Sequence, residues 1–268
     1  MENIIEINNL TFKYDNKNAL FEGLNVSIEK GKITTLLGKN GCGKSTLIKI
    51  LAKNLNYNSG SVKIEGKELN SYSLKELASI LAIVYQKNET PREITVYDMV
   101  SFARLPYQNI FFYKPNASDV EKIELALEKT NLKAYRDKRI DELSGGQLQR
   151  VYIAMALAQS TDIIILDEPT TFLDIKYQKS IMQLVRDLNK SLGITIIMVL
   201  HDINQAIRFS DHLIAMKDGN IVANGTTQEV LTKDILEKVF NIDVVLDEDP
   251  RTGKPLLVTY DLFSKTYS

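Results

Sequence analysis

The spacing of apolar positions along this chain changes from strand-like to helical and back again. Ile4 to Ile7 and Leu24 to Ile28 alternate in strand fashion, and Ser61 to Lys67 reads as a strand ending in a turn. Between them, Ile33-Thr34-Thr35-Leu36-Leu37 is a β-branched and apolar run that predicts a buried strand, after which Leu47, Ile48, Ile50 and Leu51 recur at helical spacing. Helical periodicity dominates residues 92–160: Val120, Ile123, Leu125 and Leu127 are interleaved with Glu and Lys, Pro106 and Pro115 punctuate the segment, and a helix is predicted from Gln149 to Gln159. From Ile163 the pattern reverts, with a strand at Ile163 to Leu166, a helix near 175–191 and a strand at Ile194 to Leu200. Continuous apolar strands are buried on both faces, which implies a parallel sheet covered by helices. Two alternating runs from Ile242, around Asp249-Pro250-Arg251-Thr252-Gly253-Lys254-Pro255, predict a hairpin, for which a purely structural role is the simplest reading. The expectation is an α/β core at 1–90 and 161–241 with a helical lobe inserted at 91–160, followed by a hairpin extension at 242–268.

Two glycine-rich loops interrupt this pattern. Gly38-Lys39-Asn40-Gly41-Cys42-Gly43-Lys44-Ser45 lies between a predicted strand and a predicted helix. That is the context in which backbone N–H groups converge on phosphate oxygens while the lysine reaches the β/γ-phosphates and the hydroxyl holds Mg²⁺. Leu143-Ser144-Gly145-Gly146-Gln147 has no lysine, yet it too precedes a predicted helix whose first-turn N–H groups and dipole favour an anion. By itself it is a weak signal, the alternative being an ordinary helix-capping turn, since Ser144 is a good N-cap.

Asp167 and Glu168 end an apolar strand, and ligands of open α/β sheets bind beyond the carboxyl ends of strands. Asp167 suits a Mg²⁺ shell shared with the Ser45 hydroxyl, because a phosphate-bound hard cation takes one or two carboxylates and retains water. Glu168 then orients or deprotonates an attacking water. In isolation the acidic pair would read as a solvated loop.

Composition removes several alternatives. In 268 residues, 33 Lys and Arg balance 34 Asp and Glu, so no basic footprint points to nucleic acid or a polybasic membrane anchor. No run approaches the roughly eighteen apolar residues that a membrane span needs. The opening Met-Glu-Asn-Ile-Ile-Glu lacks the pattern of a secretory signal, so a cytosolic product is expected. The single cysteine, Cys42, excludes an internal disulfide framework; it reads as a small residue tolerated by the phosphate loop, with redox sensing as the alternative.

Across nearly its whole length the chain resembles the ATP-binding subunits of ABC transporters. The resemblance rests on the order and spacing of the phosphate loop, Gln86 in Ile83-Val84-Tyr85-Gln86, the signature Leu143 to Gln147, the Asp167-Glu168 strand, Phe172-Leu173-Asp174, and His201. It implies a P-loop NTPase (RecA-like) core with a mostly parallel sheet, an N-terminal antiparallel β subdomain, an inserted α-helical subdomain and a C-terminal β-hairpin. It further implies that Tyr14 stacks on adenine over the loop Gly38, Lys39, Asn40, Gly41, Cys42, Gly43, Lys44, Ser45 and Thr46. Gln86 is then a Mg²⁺ contact that relays to a membrane subunit, His201 touches the γ-phosphate, and Lys44 and Glu168 complete the catalytic set. Without the family, Tyr14 would read as core or surface and His201 as a strand-end cap.

In this family two copies pack head to tail, so that Ser144, Gly145, Gly146 and Gln147 of one close over ATP held by the other, and Asp174 couples the two sites across the boundary. The implied partners are a second copy, integral membrane permease subunits and, indirectly, a substrate-binding lipoprotein, with the chain peripheral on the cytoplasmic face. Within the superfamily, Gly41 to Leu47, Glu168 to Ile175, Leu200 to Asn204 and Asp249 to Pro255 are most similar to the ATPases of bacterial iron-siderophore, haem and cobalamin importers. Lys39, where Pro or Arg is frequent, and the sequence Gln147-Leu148-Gln149-Arg150 depart from the usual pattern without removing a catalytic group. The aromatic stretch Tyr97, Met99, Phe102, Leu105, Tyr107, Ile110, Phe111, Phe112 and Tyr113 reads as a permease-docking surface or as the lobe's own core. A non-transport relative acting as a mechanical clamp is the alternative function, and a nucleotide sensor without turnover is disfavoured by intact Lys44, Asp167, Glu168 and His201.

Overall fold

A computed structural model of the chain describes residues 2–15, 18–86, 93–107 and 115–262. In chain order the strands and helices are β1 (Asn3–Lys13), β2 (Ala19–Glu29), β3 (Ile33–Leu37), α1 (Lys44–Leu51), β4 (Ser59–Ile64) and β5 (Lys67–Glu68). There follow α2 (Leu74–Ala78), β6 (Leu81–Val84), α3 (Val96–Ser101), α4 (Ala117–Lys129), α5 (Gly145–Ala158), β7 (Ile163–Asp167), α6 (Ile175–Leu192) and β8 (Thr195–Val199). The chain continues through α7 (Ile203–Phe209), β9 (His212–Lys217), β10 (Asn220–Thr226), α8 (Thr227–Val230), α9 (Lys233–Phe240), β11 (Ile242–Glu248) and β12 (Pro255–Leu262). These elements form two compact units, one of Met1–Ser71 with Ile197–Ser268 and the other of Tyr72–Ile196.

The first unit carries an antiparallel sheet in the order β2-β1-β4-β5, and β3 paired parallel to β9 with β10 antiparallel beyond it. All five residues of β3 are buried, as a continuous apolar run requires. β9 and β10 turn at Asp218-Gly219, both with positive φ, a hairpin chemistry that the sequence reading passed over. The predicted terminal hairpin is present as antiparallel β11 and β12, closed by a turn in which Asp249 accepts three bonds from Arg251, through its backbone N and its side-chain Nε and Nη2.

The second unit pairs β6 and β7 in parallel and is otherwise helical. In α4 the buried positions are Asp119, Ile123, Ala126 and Leu127, so Ile123 and Leu127 of the residues that suggested the helix lie in its buried stripe, whereas Val120 and Leu125 are exposed. The Arg104 guanidinium, almost fully buried, gathers this unit together. It pairs with buried Asp119 at 2.9 Å and donates from Nη1 to the carbonyls of Ala158 and Gln159 at 2.9 and 3.1 Å. Asp119 also closes the capping box of α4 with Asn116, so one carboxylate both starts a helix and anchors an arginine. Arg150 adds a second tie from α5, donating to the Thr130 carbonyl at 2.8 Å and to the Ser180 hydroxyl at 2.7 Å.

Candidate functional site: a phosphate cradle and a carboxylate cluster

In the first unit the loop between β3 and α1 is shaped by its glycines. Gly38, Gly41 and Gly43 have positive φ, and a Cβ on Gly43 would stand 2.5 Å from Cε1 of buried Phe21, while one on Gly38 would run into the carbonyl of Met216. Gly43 forms the N-cap of α1 in a left-handed conformation, with no side-chain bond to the helix. The first turn of α1 thus has no side-chain cap, and such a helix start favours an anion through its N–H groups and dipole. The Lys44 side chain is folded into this loop, its ammonium donating to the carbonyls of Gly38 at 2.7 Å and Lys39 at 3.0 Å. Those bonds fix the ammonium against the loop's own carbonyls. Ser45 is exposed on the first turn, whereas Thr46 is buried and shares a 2.9 Å hydroxyl bond with Tyr14.

Tyr14 itself is part-exposed and braced edge-on against Phe12, at 4.8 Å between ring centroids. The Thr46 bond and the Phe12 contact fix the ring beside the phosphate loop. Cys42 is a buried free thiol, and a Cβ on Gly38 would stand 2.7 Å from its sulfur, so the glycine at 38 makes room for it. His201 is exposed and directly precedes Asp202, whose carboxylate caps α7 by accepting from Gln205 N at 3.0 Å.

In the second unit β7 is buried up to Asp167, which is half-buried at the strand end. Glu168 follows with φ +54, an uncommon conformation for a non-glycine residue that turns the chain sharply out of the strand. Its Oε2 accepts from the Gln86 side-chain amide and, at 3.0 Å, from the Thr171 hydroxyl. Gln86, named from the sequence for a different contact, thus reaches the carboxylate expected to handle water. Thr171 was not singled out by sequence reasoning; its position three residues after Glu168, across a turn closed by Thr171 N to Glu168 O at 3.3 Å, is the signal that would have found it.

The second glycine loop is the N-terminus of α5, which begins at Gly145 rather than at the expected Gln149. Consecutive glycines oppose helix in the interior, yet at a first turn their cost is small. Ser144 is the N-cap and forms a capping box, with its N–H donating to the Gln147 side chain at 2.9 Å and Gln147 N donating to its hydroxyl at 3.4 Å. A Cβ on Gly146 would lie 2.6 Å from the Tyr177 ring, so this glycine lets α5 approach α6 closely. Asp174 occupies the N-cap of α6 with no side-chain cap bond and stays exposed, flanked by Phe172 at 88 % and Ile175 at 84 % exposure.

Of the proposed docking stretch, Met99 is buried and Tyr97 lies under the Arg136 guanidinium, while Phe102, Leu105 and Tyr107 are part-exposed; Ile110, Phe111, Phe112 and Tyr113 lie outside the described residues. A cavity of about 420 Å³ opens beside them, lined by residues that include Ile83, Val84, Met99, Phe102, Tyr152 and Met155. Among the described residues no group of three or more His, Cys, Asp or Glu could cage a metal, and no helix is long and apolar enough to cross a membrane. Each unit offers a hard oxygen donor of the kind that suits Mg²⁺, the exposed Ser45 hydroxyl in the first and the half-buried Asp167 carboxylate in the second.

Residues 21–171 match the family model described as ABC transporter. The chain is 49% identical over 244 residues to the iron(3+)-hydroxamate import ATP-binding protein FhuC of Bacillus subtilis (strain 168), covering 91% of this chain and 90% of that protein. It is 40% identical over 249 residues to the ferric enterobactin transport ATP-binding protein FepC of Escherichia coli (strain K12), covering 93% and 91%. Among solved structures it is similar to a chain of an ABC transporter in an inward-facing conformation, with a TM-score of 0.83, 29% identity, and coverage of 96% of this chain and 97% of that one. It is also similar to the ADP conformation of an ATP-binding cassette, with a TM-score of 0.81, 27% identity, and coverage of 90% and 98%. The chain belongs to the ABC transporter family, as an ATP-hydrolysing component with a P-loop α/β fold.

Proposed function

We propose that this protein powers the import of an iron(3+)-hydroxamate complex as the ATPase of a membrane transporter. The observation that carries this reading is the 49% identity, over nine-tenths of both chains, to a hydroxamate import protein, with enterobactin and petrobactin transport proteins among the further relatives. In this reading the chain is peripheral on the cytoplasmic face and works as a head-to-tail homodimer beneath integral permease subunits, served by a substrate-binding lipoprotein. The exposed Phe172, Asp174 and Ile175 support a protein contact there, since large apolar side chains so open to solvent mark interaction surfaces. The part-exposed Phe102, Leu105 and Tyr107 beside the 420 Å³ cavity support permease docking on the helical unit.

The chemistry is phosphoryl transfer to water, in which positioning and charge stabilisation do most of the catalysis. Gly38 to Thr46 bind the phosphates through backbone N–H groups, Tyr14 stacks on adenine, and Lys44 exchanges its loop carbonyls for β/γ-phosphate oxygens. Mg²⁺, when bound with the nucleotide, neutralises charge building on those oxygens, and Ser45, Asp167 and Gln86 would hold it. Glu168, held by Gln86 and Thr171, orients the attacking water and accepts its proton. His201 contacts the γ-phosphate. Ser144, Gly145, Gly146 and Gln147 of the second copy close the site, and release of phosphate opens it.

The test is uptake of radioactive iron supplied as a hydroxamate chelate in cells lacking the gene. Uptake is expected to fail, to return with the native chain and not to return with Lys44→Ala; normal hydroxamate uptake in the deletion strain would reject this cargo.

A further inference from the structure

The terminal hairpin is bonded to α7 at both ends of that helix. Near its start, the Asn204 side chain pairs with both backbone groups of Leu257 on β12: Nδ2 donates to the carbonyl at 3.0 Å and Oδ1 accepts from the N–H at 2.9 Å. An asparagine amide used in this way substitutes for a strand at the edge of β12. At the other end, the Lys254 ammonium donates to the carbonyls of Ile207 at 2.9 Å and Ser210 at 3.3 Å, which lie in the last turn of α7 and just beyond it. Lys254 is delivered by the tight turn of Asp249 to Gly253, in which Thr252 N and Gly253 N bond to the Asp249 carbonyl at 3.0 and 2.9 Å. The Asp249-to-Pro255 stretch thereby gains a use beyond closing the hairpin.

These bonds matter because of what α7 is and where it starts. Seven residues are too few for a helix to hold itself, so tertiary contacts decide where it sits. Its buried face, Ile203, Ala206, Ile207 and Phe209, sets its depth, but apolar burial is not directional whereas hydrogen bonds are. Beside His201, moreover, the hairpin does not pack down: a cavity of about 690 Å³ lies among His201, Phe240, Ile242, Val258 and Tyr260. With a cavity at that end, the paired amide of Asn204 is a directional tie on the first turn of α7, three residues after His201.

We infer that the C-terminal hairpin is the strut that aims His201, with Asn204 and Lys254 as positioning residues for ATP hydrolysis. The inference rests on the reading of His201 as the γ-phosphate contact. The test is made on the full chain, comparing Asn204→Ala, Lys254→Ala and Lys254→Arg by steady-state hydrolysis and by the ring signals of histidine in NMR. The sequence has two histidines, so His201 is assigned by comparison with a His212 variant.

Asn204→Ala and Lys254→Ala should each lower kcat about tenfold, as small misplacements of a catalytic group do, with KM for ATP within about twofold. Both should shift the His201 ring signal, and Lys254→Arg should restore both readouts. If Asn204→Ala does not fold, the Lys254 pair decides. An unmoved His201 signal overturns the strut whatever the rates do, and so does a rise in KM that accounts for the loss. A moved signal together with full activity of His201→Ala keeps the strut and overturns the catalytic reading of His201.

Discussion

The phosphate loop of the first unit and the carboxylate cluster of the second are built from different materials. In the loop, geometry comes from backbone: three glycines of positive φ, an uncapped helix start and a lysine bonded to main-chain carbonyls. In the cluster it comes from side chains, with Gln86 and Thr171 on one oxygen of Glu168, and with Arg104, Asp119 and Arg150 holding the helices of the same unit. Backbone recognition suits a phosphate, which is the same in every turnover. Side-chain recognition suits a proton acceptor, which must change partners as the reaction proceeds.

The sharpest way to separate the two is Glu168→Gln. It removes the proposed proton acceptor while leaving the loop intact, so hydrolysis should fall by about 10²–10⁴ while ATP affinity stays within a few-fold; equal losses in both would erase the distinction. Next, Arg104→Ala strands the Asp119 carboxylate in the interior of the helical unit. A loss of about 3–5 kcal/mol in denaturant unfolding is expected, because a buried charge is left without its counter-ion. A loss below about 1 kcal/mol, the worth of a surface pair, would mean that the apolar core alone holds this unit. The smallest effect is that of Gly146→Ala, which presses a methyl into the Tyr177 ring. About 1–3 kcal/mol of overpacking is expected in thermal or chemical unfolding; full stability would leave Gly146 with only its proposed role at the partner's nucleotide.

Much of this was legible in the sequence where local chemistry and burial agree. The strand at Ile33 to Leu37 has the boundaries its apolar run suggested, because nothing but a buried strand accommodates five such residues between a turn and a glycine loop. The terminal hairpin was equally readable from alternation around a turn. What escaped depended on long-range partners. The Arg104–Asp119 pair and the Asn204–Leu257 pairing join residues 15 and 53 positions apart, and spacing of this kind leaves no periodic trace. The start of α5 escaped for a different reason: interior propensity counts against Gly145 and Gly146, whereas the Ser144–Gln147 capping box supplies what a first turn needs. The β9–β10 hairpin carried its own Asp218-Gly219 signal.

The left-handed Gly43 gives α1 no side chain with which to finish its own beginning. Most of the other helices here bring that piece with them, as Ser73, Thr95, Asn116, Ser144 and Thr226 do. In the proposed reading, the nucleotide's phosphate takes that place for α1. The substrate then completes the secondary structure of the protein that consumes it, and every turnover returns the helix to an unfinished state.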